Sequence, residues 1–156
     1  MDNELSPDDY RALHEFRYAI RQFLRFSEDA ARAAGVEPQQ HQLMLAIKGM
    51  PEGEQPNMAA LAERLQLRHH SVVELVDRLA AHGYVERARG ETDRRQVIVH
   101  LTPSGERVLH ELSVNHRAQL RRAGPALVRV LEEVTRGGGS LEAAQEALAN
   151  ETRVGA

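Results

Sequence analysis

A mainly α-helical chain with one small β-hairpin is what this sequence predicts: an α+β fold of the winged helix-turn-helix kind, set between long N- and C-terminal helices. Three observations predict it. Two short amphipathic segments are separated only by Gln66-Leu67-Arg68, an alternating run from Val97 to Leu101 follows a polar tip, and helical apolar stripes occupy both ends of the chain.

Ser6-Pro7 with Asp8 and Asp9 behind it is a helix start with acids in the first turn. Leu13, Phe16, Ile20, Phe23, Leu24 and Ala31 then recur at helical spacing up to Gly35, a stop signal. One helix over about 8–34 is expected, longer than a small core can cover, so its surplus stripe is expected to meet a partner chain or this chain's own C-terminal helix. Pro38 opens a second helix through Lys48 with Leu43, Met44 and Ile47 inward, and GMPEGEQPN closes it. Asn57 can cap a third, from Met58 to about Gln66, whose inward residues are Leu61, Ala62 and Leu65. The fourth, from about His69 to His82, repeats Val72, Leu75, Val76 and Leu79 on one side, and Gly83 stops it. Val85–Ala88 and Val97–Leu101 read as strands joined by Gly90–Arg95. Thr102-Pro103 begins the last helix, with Thr as cap and Pro at the first position, and Val108, Leu109 and Leu112 begin its stripe. Gly124-Pro125 is expected to break that helix, and GGGS at 137–140 to set off a short Ala- and Glu-rich segment. The expected divisions are 1–36, 37–101 and 102–156.

Composition narrows the function. The 156 residues, 42% apolar, suit one domain, or one domain with an extended oligomerisation element. The absence of Cys excludes disulfides, thiolate nucleophiles and cysteine-held zinc. No run approaches membrane-spanning length, so no membrane association is expected, and the acidic start MDNELSPDDY lacks the features of a secretory signal; a cytoplasmic location is expected. The net charge of -3 conceals an uneven distribution. Residues 1–10 carry Asp2, Glu4, Asp8 and Asp9 without a cation, whereas 57–101 carries seven arginines and four histidines against six acids.

The second helix of a helix-turn-helix is the natural element to enter a DNA major groove. Opposite its apolar side stand His70, Glu74, Asp77 and Arg78, flanked by Ser71 and Val73, while Arg68 and His69 project at its N-terminal end. Glu74 is compatible with duplex DNA because a carboxylate accepts from cytosine N4. The hairpin tip ETDRRQ adds Asp93, Arg94 and Arg95. A hairpin beside such a helix reaches the neighbouring minor groove, whose negative potential favours arginine, and Asp93 can hold the Arg95 guanidinium in one pose.

At these residues the chain resembles the MarR family of bacterial transcriptional regulators. The resemblance runs through LAERLQLRHHSVVELVDRLAAHGYVERARGETDRRQVIVHLTPSG: an LA pair, a short turn, a helix ending in VDRL, a Gly, the D-x-R of the wing at Asp93 and Arg95, and a closing LTxxG at Leu101, Thr102 and Gly105. It covers about 38–110, and the long first helix agrees with it. The resemblance implies a homodimer held by interleaved N- and C-terminal helices, binding double-stranded DNA, usually as a repressor, and answering to an aromatic or phenolic small molecule in a cleft between DNA-binding lobe and dimer helices. Arg17, Arg21 and His41 are the candidates to orient such an effector. No cofactor is implied.

Other classes fare worse. HEFRY at 14–18 and HELSV at 110–114 begin like zinc-protease helices but lack the second His, and no nucleophile elbow or phosphate-binding loop occurs, so no enzyme is expected. A metal-sensing regulator would draw on His69, His70, His110 or His116, but adjacent histidines point to different sides of a helix and six-residue spacing suits one face poorly. A winged helix that binds protein partners is the remaining alternative; Glu74 and Asp77 lean toward it, and Arg68, Arg78, Arg94 and Arg95 lean away.

Overall fold

The computed structural model describes residues 5–136. In chain order these form α1 (Pro7–Ala33), α2 (Pro38–Lys48), α3 (Met58–Leu65), α4 (His69–Ala81), β1 (Val85–Arg89), β2 (Val97–Leu101) and α5 (Pro103–Arg136). The expected winged helix-turn-helix is present. By compactness the described residues fall into two units, 28–113 and 5–27 with 114–136.

In the unit 28–113 the core is the one the apolar spacing marks. Leu43, Met44 and Ile47 of α2, Leu61 of α3, and Val72, Leu75, Val76 and Leu79 of α4 close around Val85, Val99 and Leu109. Burying each such side chain contributes roughly 1.5–3 kcal/mol, which fixes the rotation of each helix and therefore which side it turns to solvent. Local hydrogen bonds set the ends. The Gln40 amide oxygen accepts from the Glu37 backbone N–H at 3.1 Å, and Asn57 Oδ1 accepts from the Ala60 N–H at 2.9 Å. The α3–α4 turn holds Gln66 in the left-handed region (φ 53°), with the Leu67 N–H on the Ala62 carbonyl at 3.0 Å.

β1 and β2 are antiparallel, Val85 opposite Leu101, Arg87 opposite Val99 and Arg89 opposite Val97. Asn57 bridges Ile98, and the Val99 N–H donates to the Pro56 carbonyl at 3.0 Å, so the approach to α3 lies along β2 like a short third strand. The start of α5 is tied to the end of α4. Thr102 Oγ1 donates to the Gly83 carbonyl at 2.6 Å and accepts from the Gly105 N–H at 3.1 Å, and the Thr102 N–H donates to the Tyr84 carbonyl at 3.0 Å. Gly105 is required at this junction, since a Cβ there would lie 2.1 Å from the Tyr84 oxygen.

In the other unit, α1 buries small residues (Ala12, Ala19 and Ser27), whereas Leu13 and Leu24 of the expected stripe are exposed. His116 Nε2 and Ser27 Oγ are hydrogen-bonded at 2.6 Å, with Phe23 and Phe26 edge-on to the His116 ring. The expected break at Gly124-Pro125 does not occur, because α5 continues through Pro125 to Arg136. An interior proline costs about 3 kcal/mol. Ala126, the next residue, and Val130, little more than a turn beyond the proline, are both fully buried and offset that cost. The GGGS segment lies outside the described residues.

Candidate nucleic-acid interface

The buried side of α4 turns Arg68, His69, His70, Glu74, Asp77 and Arg78 to solvent and leaves Ser71 and Val73 half-buried at the margins. Arg68 is the residue before the first turn, and His69 begins the helix. Every residue named for this face by the helical spacing is therefore accessible.

Beside α4 the wing tip is closed by its own backbone. The Gly90 N–H donates to the Gln96 carbonyl and the Gln96 N–H to the Asp93 carbonyl, each at 3.0 Å, and a Cβ on Gly90 would meet the Asp93 oxygen at 2.6 Å. Within this turn Asp93 Oδ1 accepts from the Arg95 backbone N–H at 2.9 Å and lies 3.4 Å from Arg95 Nε. The Arg95 side chain is 94% exposed. The carboxylate thus holds the backbone of Arg95 closely and its Nε only at 3.4 Å, and the side chain stays in solvent.

Between the two elements lies an open cavity of about 450 Å³. Met58, Val73 and Val97 give it an apolar floor, and Asn57, His69, Arg87, Arg95 and Gln96 give it polar walls. It brings together three residues singled out from the sequence, His69, Val73 and Arg95. It adds Asn57, Arg87 and Gln96, which local sequence marks only as a cap and as parts of the hairpin. Arg87 Nη2 donates to Asp77 Oδ1 at 2.5 Å, tying β1 to α4, and its side chain is 35% exposed. Arg94 is exposed and Arg78 faces elsewhere, into a second cavity of about 390 Å³ with Glu28, Arg32, Glu37, Pro38, Gln39 and Leu75.

The three effector candidates divide between the units. Arg17 and Arg21 are exposed on α1 in the unit of 5–27 with 114–136, and His41 is 2% exposed inside the unit 28–113. Among the described residues no three His, Cys, Asp or Glu side chains come together to hold a metal ion, and no helix is long and apolar enough to cross a membrane.

A helix-turn-helix followed at once by a hairpin, with a groove between its second helix and the tip, defines a winged helix-turn-helix protein. Residues 34–96 match the family model described as MarR family. It is 34% identical over 61 residues to the HTH-type transcriptional regulator YsmB of Bacillus subtilis, covering 39% of this chain and 42% of that protein. Over 96 residues it is 30% identical to a Thauera aromatica protein named for transcriptional regulation of the hcr operon, covering 62% of this chain and 56% of the other. The chain spans about half the length of these curated relatives. The solved structure of AbsC, a MarR family transcriptional regulator from Streptomyces coelicolor, superposes with a TM-score of 0.67 at 20% identity, covering 97% of this chain and 99% of that one, which establishes the fold.

Proposed function

We propose that this protein is a transcriptional regulator that binds double-stranded DNA as a homodimer. The observation that carries the reading is the groove between α4 and the wing, where His69, Val73, Arg87 and Arg95 share one open surface and Asp93 holds the last of these at its backbone. In this reading α4 enters the major groove with Arg68, His69, His70, Ser71, Val73, Glu74 and Arg78 as its contact set. The wing offers Arg94 and Arg95, positioned by Asp93, to the adjacent minor groove or its phosphates. Residues 37–101 form the DNA-binding part, and 1–36 and 102–156 the dimerising parts. Support for the second copy comes from the apolar side chains that one chain leaves in solvent: Tyr10, Leu13, Tyr18 and Leu24 on α1, and Val114, Leu120, Val128 and Leu131 on α5. The output is repression, relieved by an aromatic or phenolic effector. The curated relatives named as regulators of transcription support the regulatory role.

The test is a footprint on the DNA upstream of the protein's own gene. A symmetric dimer should protect a pseudo-palindrome whose half-site centres lie roughly 34 Å apart, one helical turn. Binding should weaken steeply with salt. Protection of one isolated half-site, or a monomer in sedimentation at micromolar protein, removes the dimer; absence of any salt-sensitive duplex binding removes the DNA reading altogether.

A further inference from the structure

Asp77 is out of place on a face meant for DNA. Its carboxylate lies on the exposed side of α4, where a fixed negative charge opposes phosphate. Judged by charge alone, its removal should strengthen binding. Yet Asp77 Oδ1 receives the Arg87 guanidinium at 2.5 Å, and that contact joins two different elements, the helix that carries His69 and Val73 and the strand that leads into the wing.

Arg87 explains why such a tie has leverage. On β1 it lies two residues from Val85, so both side chains leave the strand on the same side, and opposite Arg87 stands Val99 of the core. Val85 is buried, whereas Arg87 at the next inward position reaches the rim and walls the groove together with Arg95, Gln96 and Val97. At that rim position the contact between β1 and α4 is polar, the Arg87 guanidinium on the Asp77 carboxylate. A guanidinium presents its donors in a fixed planar fork, so holding one edge on Asp77 also aims the other edge.

We propose that Asp77 is a positioning residue for DNA binding. Through Arg87 it fixes the width of the groove between α4 and the hairpin and directs the free edge of that guanidinium at a phosphate of the duplex. The proposal rests on the duplex-binding reading given above.

The sign of one measurement decides it. Anisotropy titrations would use the full-length protein and a labelled duplex from the DNA upstream of its gene, with wild type, Asp77→Ala, Asp77→Asn, Asp77→Glu, Arg87→Ala and the Asp77→Ala/Arg87→Ala double variant. Asp77→Ala should weaken binding at least about threefold, with little change in the unfolding midpoint, because the pair is too exposed to contribute much to folding. Asp77→Asn should lose less, since its amide oxygen still accepts from Arg87, and Asp77→Glu should recover part of the wild-type affinity. The double variant should bind no worse than Arg87→Ala alone, because the two residues act as one unit. Binding by Asp77→Ala and Asp77→Asn as tight as wild type, or tighter, overturns the proposal and leaves Asp77 as a plain repulsive charge. Losses that simply add in the double variant overturn it as well. If wild type itself does not bind the duplex, the functional reading fails and this inference falls with it.

Discussion

Asp93 and Arg95 carry the most direct test at the level of single residues. Arg95→Ala removes one exposed cation and no buried surface, so affinity for duplex DNA should fall on all sequences and the slope of log affinity against log salt should shrink by about 1, with the unfolding midpoint unchanged. Asp93→Ala should act in the same direction but more weakly, because the guanidinium remains while its backbone and side-chain anchor is lost. A double-mutant cycle should show the two coupled in binding and not in stability; wild-type affinity in Arg95→Ala at physiological salt would reduce the tip to a solvated turn. At the far end of the chain, Ser6 donates to the Asp9 carboxylate from both its hydroxyl and its backbone N–H, at 2.7 and 2.8 Å. The side-chain bond, then the backbone bond, hold the Asp9 carboxyl below its ordinary value of 3.8. A depressed carboxyl supports the folded cap above the unfolded value and loses that support as pH falls through the folded one. Amide exchange in the first turn of α1 should therefore speed up as pH is lowered below 3.8 once intrinsic rates are divided out, and Asp9→Asn should abolish that pH dependence. The Asp93–Arg95 pair is legible because its members lie two positions apart, whereas Ser6 and Asp9 mark only a helix start with acids in its first turn. Arg87 and Gln96 were not singled out as groove residues, because their neighbours there belong to α3 and α4. For Arg87 the alternation of β1 held the missing signal, since a residue two places from a core valine shares its side of the strand.

At the level of elements, α2, α3 and α4 of the unit 28–113 follow from periodicity and end signals, because each has one buried side and a marked start and stop. Two features resisted. The left-handed residue of the α3–α4 turn is Gln66, where glycine is the usual signal; its own side chain binds the Glu63 carbonyl at 2.7 Å and steadies the conformation. Pro125 reads as a helix end, but burial of Ala126 and Val130 just beyond it decides otherwise, and burial against another helix is invisible in a local pattern. Of the stripe expected on α1, Ala31 is fully buried and Leu13 and Leu24 are exposed, while Ala12, Ala19 and Ser27, too small to stand out in the pattern, are covered. The junction of β1, β2 and α5 yields a prediction of its own. Gly105→Ala places a methyl group against the Tyr84 carbonyl, a backbone atom that cannot swing aside, and should destabilise the protein by about 1–3 kcal/mol in urea unfolding. A loss under about 0.5 kcal/mol would mean that the first turn of α5 can shift away without harm.

For the molecule as a whole, a net charge of -3 gives little long-range attraction to a polyanion, and the arginines of the groove stand beside acids of their own, Arg87 with Asp77 and Arg95 with Asp93. Any attraction is therefore local, fading within a Debye length of about 8–10 Å, and recognition depends on shape brought into contact. That shape is secured at an unexpected place. The Thr102 bonds to Gly83 and Tyr84 join positions nineteen and eighteen residues apart, so the chain leaves α4 and returns to α5 at a single point, and the wing between them is a loop tied at its neck. A tied loop has already surrendered the freedom of its ends. The neck therefore tolerates a severed tip: a protease cutting after the exposed Arg94 would leave β1 joined covalently to α4 and β2 to α5, with the knot at Thr102 holding the two stubs together. The fold would outlast the cut, and what would be lost is the short turn that keeps Arg95 within reach of Asp93.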